Sequence, residues 1–201
     1  MTHIVFLNGP PGCGKDTVTS QLVPYINFQH LKFAAPIKRM VCGLLNEDTR
    51  WLEENKDLPH RMLRASDGVY NANIDTPRQL LISLSEEFLK KKYGNDFFGY
   101  AMVNEIRKSA NSLIIISDSG FASEALPVLR QFGHPHTLQI CIERPGHDFS
   151  NDSRSYWGIP GCRKRTVYND GTLHDLTMRS LYAIIRQFPE TELLRDPDWI
   201  K

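Results

Sequence analysis

Short apolar runs alternate along the chain with segments whose apolar residues recur at helical spacing. That pattern predicts an α/β sheet joined by crossover helices. Ile4 to Leu7 predicts the first strand, and a helix follows from Gly14 to about Val23, with Val18 and Leu22 one turn apart and Pro24 ending it. A weaker strand is predicted near Phe28 to Phe33, then a helix from about Pro36 to Leu45. Asn46 to Asp75 has few apolar residues and many charges, which predicts an insertion rather than core. Thr76-Pro77-Arg78-Gln79 then opens a helix: Thr76 can cap, Pro77 suits the first helical position, and Gln79 completes a capping box. Leu80, Leu81, Leu84 and Phe88 form its expected buried stripe, and Gly94 its stop.

A further helix is predicted from about Phe97 to Arg107, ahead of the run Leu113-Ile114-Ile115-Ile116. Such an unbroken apolar run suits a strand covered on both faces of a parallel sheet. A helix from about Ser123 to Phe132 leads to a strand at Leu138 to Ile142. Arg144 to Arg165, rich in Gly, Pro, Asp, Ser and Arg, reads as irregular, and a last amphipathic helix runs from about Leu173 to Phe188 on Leu176, Leu181, Ile184 and Ile185.

Between the first strand and the first helix lies Gly9-Pro10-Pro11-Gly12-Cys13-Gly14-Lys15, a GxxxxGK sequence in the context that gives it meaning. Glycines let the backbone wrap a phosphate chain with successive N–H groups turned inward, and the following helix start adds partial positive charge. Gly9, Gly12, Cys13, Gly14, Lys15, Asp16 and Thr17 are the residues expected to hold ATP, with Lys15 against the β- and γ-phosphates. Asp16 stands where such loops usually place a Ser or Thr. A carboxylate there can serve Mg²⁺ directly or through water, because the ion prefers hard oxygens and keeps several waters.

Composition narrows the field. With 201 residues, 24 Lys+Arg against 23 Asp+Glu, the chain lacks the basic excess of a non-specific nucleic-acid binder. Cys13, Cys42, Cys141 and Cys162 are scattered without metal-ligand spacing, as expected of free thiols in a reducing cytoplasm. No apolar run approaches the ~20 residues of a membrane span, so no membrane partner is expected.

Gly14-Lys15-Asp16-Thr17 resembles the loop of the bacteriophage deoxynucleoside monophosphate kinases. Phe33-Ala34-Ala35-Pro36-Ile37-Lys38 is similar to that family's F-A-x-P-I-K segment. Thr76 to Leu81 is similar to its T-P-R-x-L-L helix start, and Asn169-Asp170-Gly171-Thr172-Leu173 to its N-D-G-[ST]-L approach to the last helix. The resemblance implies a P-loop fold with a five-stranded parallel sheet flanked by helices. A helical acceptor-binding insertion falls at about 46–95 and a lid at about 144–165. It also implies ATP and Mg²⁺, a small nucleotide acceptor, and compatibility with a homodimer. One departure bears on the acceptor: the family often reads Asp-Val-Arg-Phe where this chain has Asp118-Ser119-Gly120-Phe121. Asp118 keeps the acidic position that orients the Mg²⁺ shell, whereas the arginine is missing.

Phosphoryl transfer needs positioning and charge cancellation more than covalent help, so the remaining candidates are cations. Arg78 stands first: it occupies the first turn of a helix, where a cation is disfavoured unless an anion lies near. Lys38, Arg61 and Arg64 are weaker acceptor candidates. Of Arg144, Arg154, Arg163 and Arg165 in the lid segment, Arg144 is favoured because it directly follows a strand. Tyr156, Trp157, Tyr70, Phe97 and Phe98 could stack on a base, with Phe97 and Phe98 reading rather as packing. Two other functions compete with a monophosphate kinase. One is a kinase acting on a hydroxymethyl pyrimidine in DNA; the other is a nucleotide-binding module without turnover.

Overall fold

The computed structural model describes residues 1–63, 74–150 and 152–195. Five strands form one parallel sheet in the order β2-β3-β1-β4-β5: β1 His3–Asn8, β2 Gln29–Leu31, β3 Leu113–Ile116, β4 Thr137–Glu143 and β5 Arg163–Tyr168. Around them lie α1 Lys15–Leu22, α6 Phe97–Arg107, α7 Ala122–Phe132 and α8 Leu173–Gln187. The remaining helices, α2 Ala35–Leu45, α3 Thr49–Asn55, α4 Pro77–Ile82 and α5 Lys91–Tyr93, belong to a separate compact unit, Ala34–Phe97. The sheet unit is built from Met1–Phe33 and the chain from Phe98 onward.

Because helices cover both faces, the inner strands are apolar throughout: every residue of β1 and β3 is buried. In register Ile4 lies beside Ile114 and Val5 beside Ile115, while Leu7 lies beside Ile140 on the other side. Val5, Leu7, Ile115, Ile140 and Ile142 point to one face, where α1 contributes Val18 and Leu22 and α8 contributes Leu176, Leu181 and Ile184. On the opposite face Phe6 stacks on Phe33 and meets Trp157 edge-on. Each such side chain contributes roughly 1.5–3 kcal/mol by leaving water. That packing fixes the C-terminal end of β1, from which the GxxxxGK loop springs. The four cysteine thiols are free.

Three departures from the sequence expectations have plain causes. The stretch after Asn46, expected to be insertion rather than core, buries Leu52 in a small core on helix α3, which Asp48 caps by accepting from Trp51 N–H at 2.7 Å. The segment expected to be irregular through Arg165 yields the fifth strand from Arg163. As an edge strand it buries only Val167, so no apolar alternation announces it. Phe88 leaves the predicted stripe and is exposed, while Leu89 is buried. Beyond α4 the helix runs through π-helical turns over Ser83–Lys90, whose i→i+5 bonds carry more residues per turn and shift the buried position by one.

The Ala34–Phe97 unit has its own small core of Val41, Cys42, Leu45 and Leu52, against which Trp51, Leu63, Leu80, Leu81 and Leu84 pack. Its α4 starts on the predicted capping box: Gln79 N–H donates to Thr76 Oγ1 at 3.3 Å and Gln79 Oε1 accepts from Thr76 N–H at 3.0 Å.

Candidate phosphate-binding site

The loop between β1 and α1 is shaped by its glycines. Gly12 and Gly14 hold φ of 72° and 107°, conformations that L side chains rarely adopt. The loop's outward carbonyls are satisfied from behind: Gly12 O accepts from Arg144 Nη1 at 2.8 Å, and Cys13 O accepts from Asn169 Nδ2 at 2.9 Å. Within the loop, Cys13 N–H donates to Pro10 O at 3.3 Å and closes a turn. The half-buried Lys15 folds across the mouth, its ammonium donating to the carbonyls of Gly9 at 2.7 Å and Pro10 at 2.8 Å. Cys13 is fully buried with its sulfur 3.6 Å from that ammonium, and burial pushes the thiol above its ordinary pKa despite the lysine, so it stays protonated.

Asp16 opens α1 and is tied to the sheet. Its Oδ1 accepts from Ser117 Oγ at 2.7 Å and from Lys32 Nζ at 2.8 Å, and Ser117 Oγ in turn lies 2.7 Å from His30 Nε2. Burial favours the neutral acid, but the bonds from Lys32 and Ser117 outweigh it and hold Asp16 below the usual carboxylate range. Asp118, next after Ser117, accepts Phe33 N–H at 2.8 Å. Thr17 lies exposed in the first turn of α1.

A buried polar network supports the floor beneath the loop. Asn8, at the end of β1, donates to Ser119 O and to Ser155 O at 3.1 Å. Gln139 donates to Asn8 Oδ1 at 3.2 Å and to Trp157 O at 2.8 Å, and Trp157 Nε1 donates to Ser119 Oγ at 3.1 Å. Trp157 is thus a packed anchor rather than an open stacking face. Tyr156 is half-buried and lines a cleft of about 440 Å³ with Arg144, Phe149, Tyr168 and Asp170.

The expected residues fall into two groups. Gly9, Gly12, Cys13, Gly14, Lys15, Asp16, Thr17, Asp118 and Arg144 all lie in the sheet unit at the ends of β1, β3 and β4. Lys38, Arg61 and Arg78 lie in the Ala34–Phe97 unit. There Lys38 pairs with Glu53, which also accepts from Lys56 at 2.7 Å. Arg78 forks onto Asp57 through Nε and through Nη2 at 2.9 Å, while its own N–H donates to Lys56 O at 2.8 Å. The anion that the helix start demands is therefore Asp57. Arg61 is exposed in the turns after α3; Arg64 and Tyr70 lie outside the described residues. Arg163 and Arg165 are exposed on β5, where Arg163 donates to Gln187 Oε1 at 3.1 Å.

Sequence reasoning missed the supporting roles of Lys32, Ser117, Asn8 and Asn169. Asn8 carried a local signal, a polar residue closing an apolar strand just before the loop, and Asn169 opened the N-D-G segment already singled out. Lys32 and Ser117 meet Asp16 only through the sheet register.

No family model matches the chain, and no curated protein does. Among solved structures, the chain is similar to an unliganded sugar kinase from Janibacter sp. HTCC2649 at 14% identity and a TM-score of 0.45, over 92% of this chain and 95% of that one. It is also similar to the dephospho-CoA kinase of Campylobacter jejuni, at 15% identity and 0.47, over 92% and 96%. The protein TT1252 of Thermus thermophilus gives 18% identity and 0.49, over 93% and 98%. Similarities this distant assign no activity. Among the described residues no helix is long and apolar enough to cross a membrane.

Proposed function

We propose that the chain is a kinase that moves the γ-phosphoryl group of ATP onto a (deoxy)nucleoside monophosphate. The observation that carries this reading is the glycine-hinged loop with its carbonyls tied outward and Lys15 across its mouth. Such a loop grips a polyphosphate through inward amides, and Lys15 exchanges two backbone carbonyls for phosphate oxygens when nucleotide enters. The cleft beside Arg144, with Tyr156 and Tyr168, suits the nucleobase end: aromatic and guanidinium faces flank a planar ring.

Asp16 and Asp118 fit a hydrated Mg²⁺ carried in on the triphosphate. Both are hard oxygen donors beside the loop, and Asp16 is held ionised by Lys32 and Ser117. Among the described residues no group of three or more His, Cys, Asp or Glu converges as a metal cage; Mg²⁺ at such sites leans on phosphate oxygens and water instead. When bound, the ion neutralises charge on the β- and γ-phosphates. The protein's own part is to orient: the loop fixes the donor, Lys15 offsets charge building on the transferring group, and Arg78, with Lys38, supplies cations for the acceptor phosphate.

The reading on DNA is weaker. Arg163, Lys164 and Arg165 are consecutive on a strand, so their side chains alternate between faces and make no single basic track.

The test is direct. Purified protein is incubated with Mg²⁺-ATP and a panel of nucleoside monophosphates, and ADP release is followed. Acceptor-dependent ADP is expected with at least one monophosphate. ATP binding without transfer to any of them would sink the monophosphate-kinase reading; turnover only with hydroxymethyl-pyrimidine DNA would point to the DNA-directed kinase, and no transfer at all to a binding module.

A further inference from the structure

The segments that close β2 and β3 hold both acids beside the phosphate loop. Ser117 N–H donates to Leu31 O at 3.3 Å, and Phe33 N–H donates to Asp118 Oδ1 at 2.8 Å. Ser117 Oγ reaches Asp16 Oδ1 at 2.7 Å, and His30 Nε2 lies 2.7 Å from the same hydroxyl. His30 lies on β2, Ser117 follows β3 and Asp16 stands in the first turn of α1. Three elements therefore meet at one buried hydroxyl.

The direction of these bonds follows from counting protons. Asp16 is paired with the Lys32 ammonium at 2.8 Å, and its carboxylate can only accept. The Ser117 proton therefore goes to Asp16 Oδ1. Ser117 is 1% exposed and its hydroxyl has no second proton to give, so the other bond runs the opposite way: His30 Nε2–H donates and Ser117 Oγ accepts. An imidazole carrying its proton on Nε2 satisfies this, and so does an imidazolium. Both donors to Asp16, Ser117 and Lys32, fall on Oδ1. Oδ2 is then the oxygen left for a further ligand. An aspartate carboxyl turns readily about its last torsion; a donor seated in the sheet stops that turn. A hydroxyl that accepts from an imidazole is also the stronger donor, because bonds in a chain polarise one another.

We propose that His30 and Ser117 are positioning residues for the magnesium-bound nucleotide, a directed relay that fixes the Asp16 carboxylate and keeps its second oxygen for the hydrated ion. The inference rests on the phosphate-loop reading above, with Asp16 in the place where such loops usually carry a hydroxyl. A carboxylate there offers two oxygens; the relay engages one and so assigns the other. His30 acts only through Ser117.

ATP affinity, measured by titration calorimetry with Mg²⁺ and again in EDTA, tests this on wild type, Ser117→Ala, His30→Ala and His30→Gln. The ratio of the two affinities is the readout. Each alanine variant is expected to lower that ratio about three- to tenfold, the scale of one lost hydrogen bond, while affinity in EDTA stays within about twofold. His30→Gln keeps an N–H donor and should recover most of the loss. The double alanine variant should add little to either single one, since both act on one carboxylate oxygen. Melting temperatures report folding separately; should Ser117→Ala fail to fold, the His30 pair still decides, because β2 is an edge strand and His30 is exposed. An unchanged ratio in His30→Ala overturns the inference alone, as does an equal loss with and without metal, or a loss that His30→Gln leaves unrepaired. A wild type that binds no ATP under either condition overturns the phosphate-loop reading and this inference with it.

Discussion

The two sets of cations in this protein are held in different ways. In the sheet unit Lys15 rests on neutral carbonyls, those of Gly9 and Pro10, inside a loop whose shape is fixed from behind by Arg144 and Asn169. In the Ala34–Phe97 unit Lys38, Lys56 and Arg78 rest on carboxylates, Glu53 and Asp57. A phosphate entering the loop displaces only dipoles, so most of its attraction survives as binding. A phosphate reaching Arg78 must compete with a full negative charge already in a forked pair. Under the kinase reading proposed above, the first arrangement suits tight grip and the second suits exchange of a group that binds and leaves each cycle.

Changes at the loop should have the largest effects. Lys15→Ala should lower turnover about 10²–10³-fold, the scale for losing one preorganised charge-stabilising donor, with folding intact by circular dichroism. Gly14→Ala forces an L residue into φ 107° and sets a methyl 3.0 Å from Asn169 Nδ2. At a strain of about 1–3 kcal/mol, Mg²⁺-ATP affinity should fall about tenfold or more.

Effects in the ion-paired region should be smaller and separable. Arg78→Ala should raise the acceptor's KM about tenfold or more while ATP affinity stays within about twofold, because only the acceptor loses a charged partner. Asp57→Asn should do the reverse, lowering that KM about two- to fivefold by removing the competitor. If Asp57→Asn instead mimics Arg78→Ala, Asp57 positions the arginine rather than competing for it.

The smallest effect is a pH dependence in Glu53. Burial favours its neutral form, but hydrogen bonds from Lys38 and Lys56 prevail and lower its pKa from 4.5 to about 2. A carboxyl depressed on folding contributes stability that is present above pH 4.5 and lost as pH falls toward 2. Because Glu53 is 45% exposed, screening limits the contribution to about 1 kcal/mol. Trp51 fluorescence on acid titration should show the loss, and Glu53→Gln should flatten that part of the curve.

The elements carried mainly by local pattern were legible from the residues. β3 and α6 match their expected bounds because an unbroken buried run and a strong helical period need no partner to be recognised. The capping box at Thr76 is equally local. The loop was legible for the same reason: glycines, lysine and the strand-to-helix setting occupy adjacent positions. The edge strand β5 was not, since its pairing with β4 satisfies its backbone whatever its side chains are. The relay from His30 through Ser117 to Asp16 was not either, because Ser117 is far in sequence from the other two.

The sequence by itself determined where phosphate-binding backbone can form, because the conformations of Gly12 and Gly14 and the start of α1 are properties of neighbouring residues. Tertiary structure decided which charges meet: Asp16 with Lys32, Asp57 with Arg78, Asp118 with the Phe33 amide. Charge interactions act through space and fall off with distance, and distances between remote residues are set only when the sheet register and helix packing close.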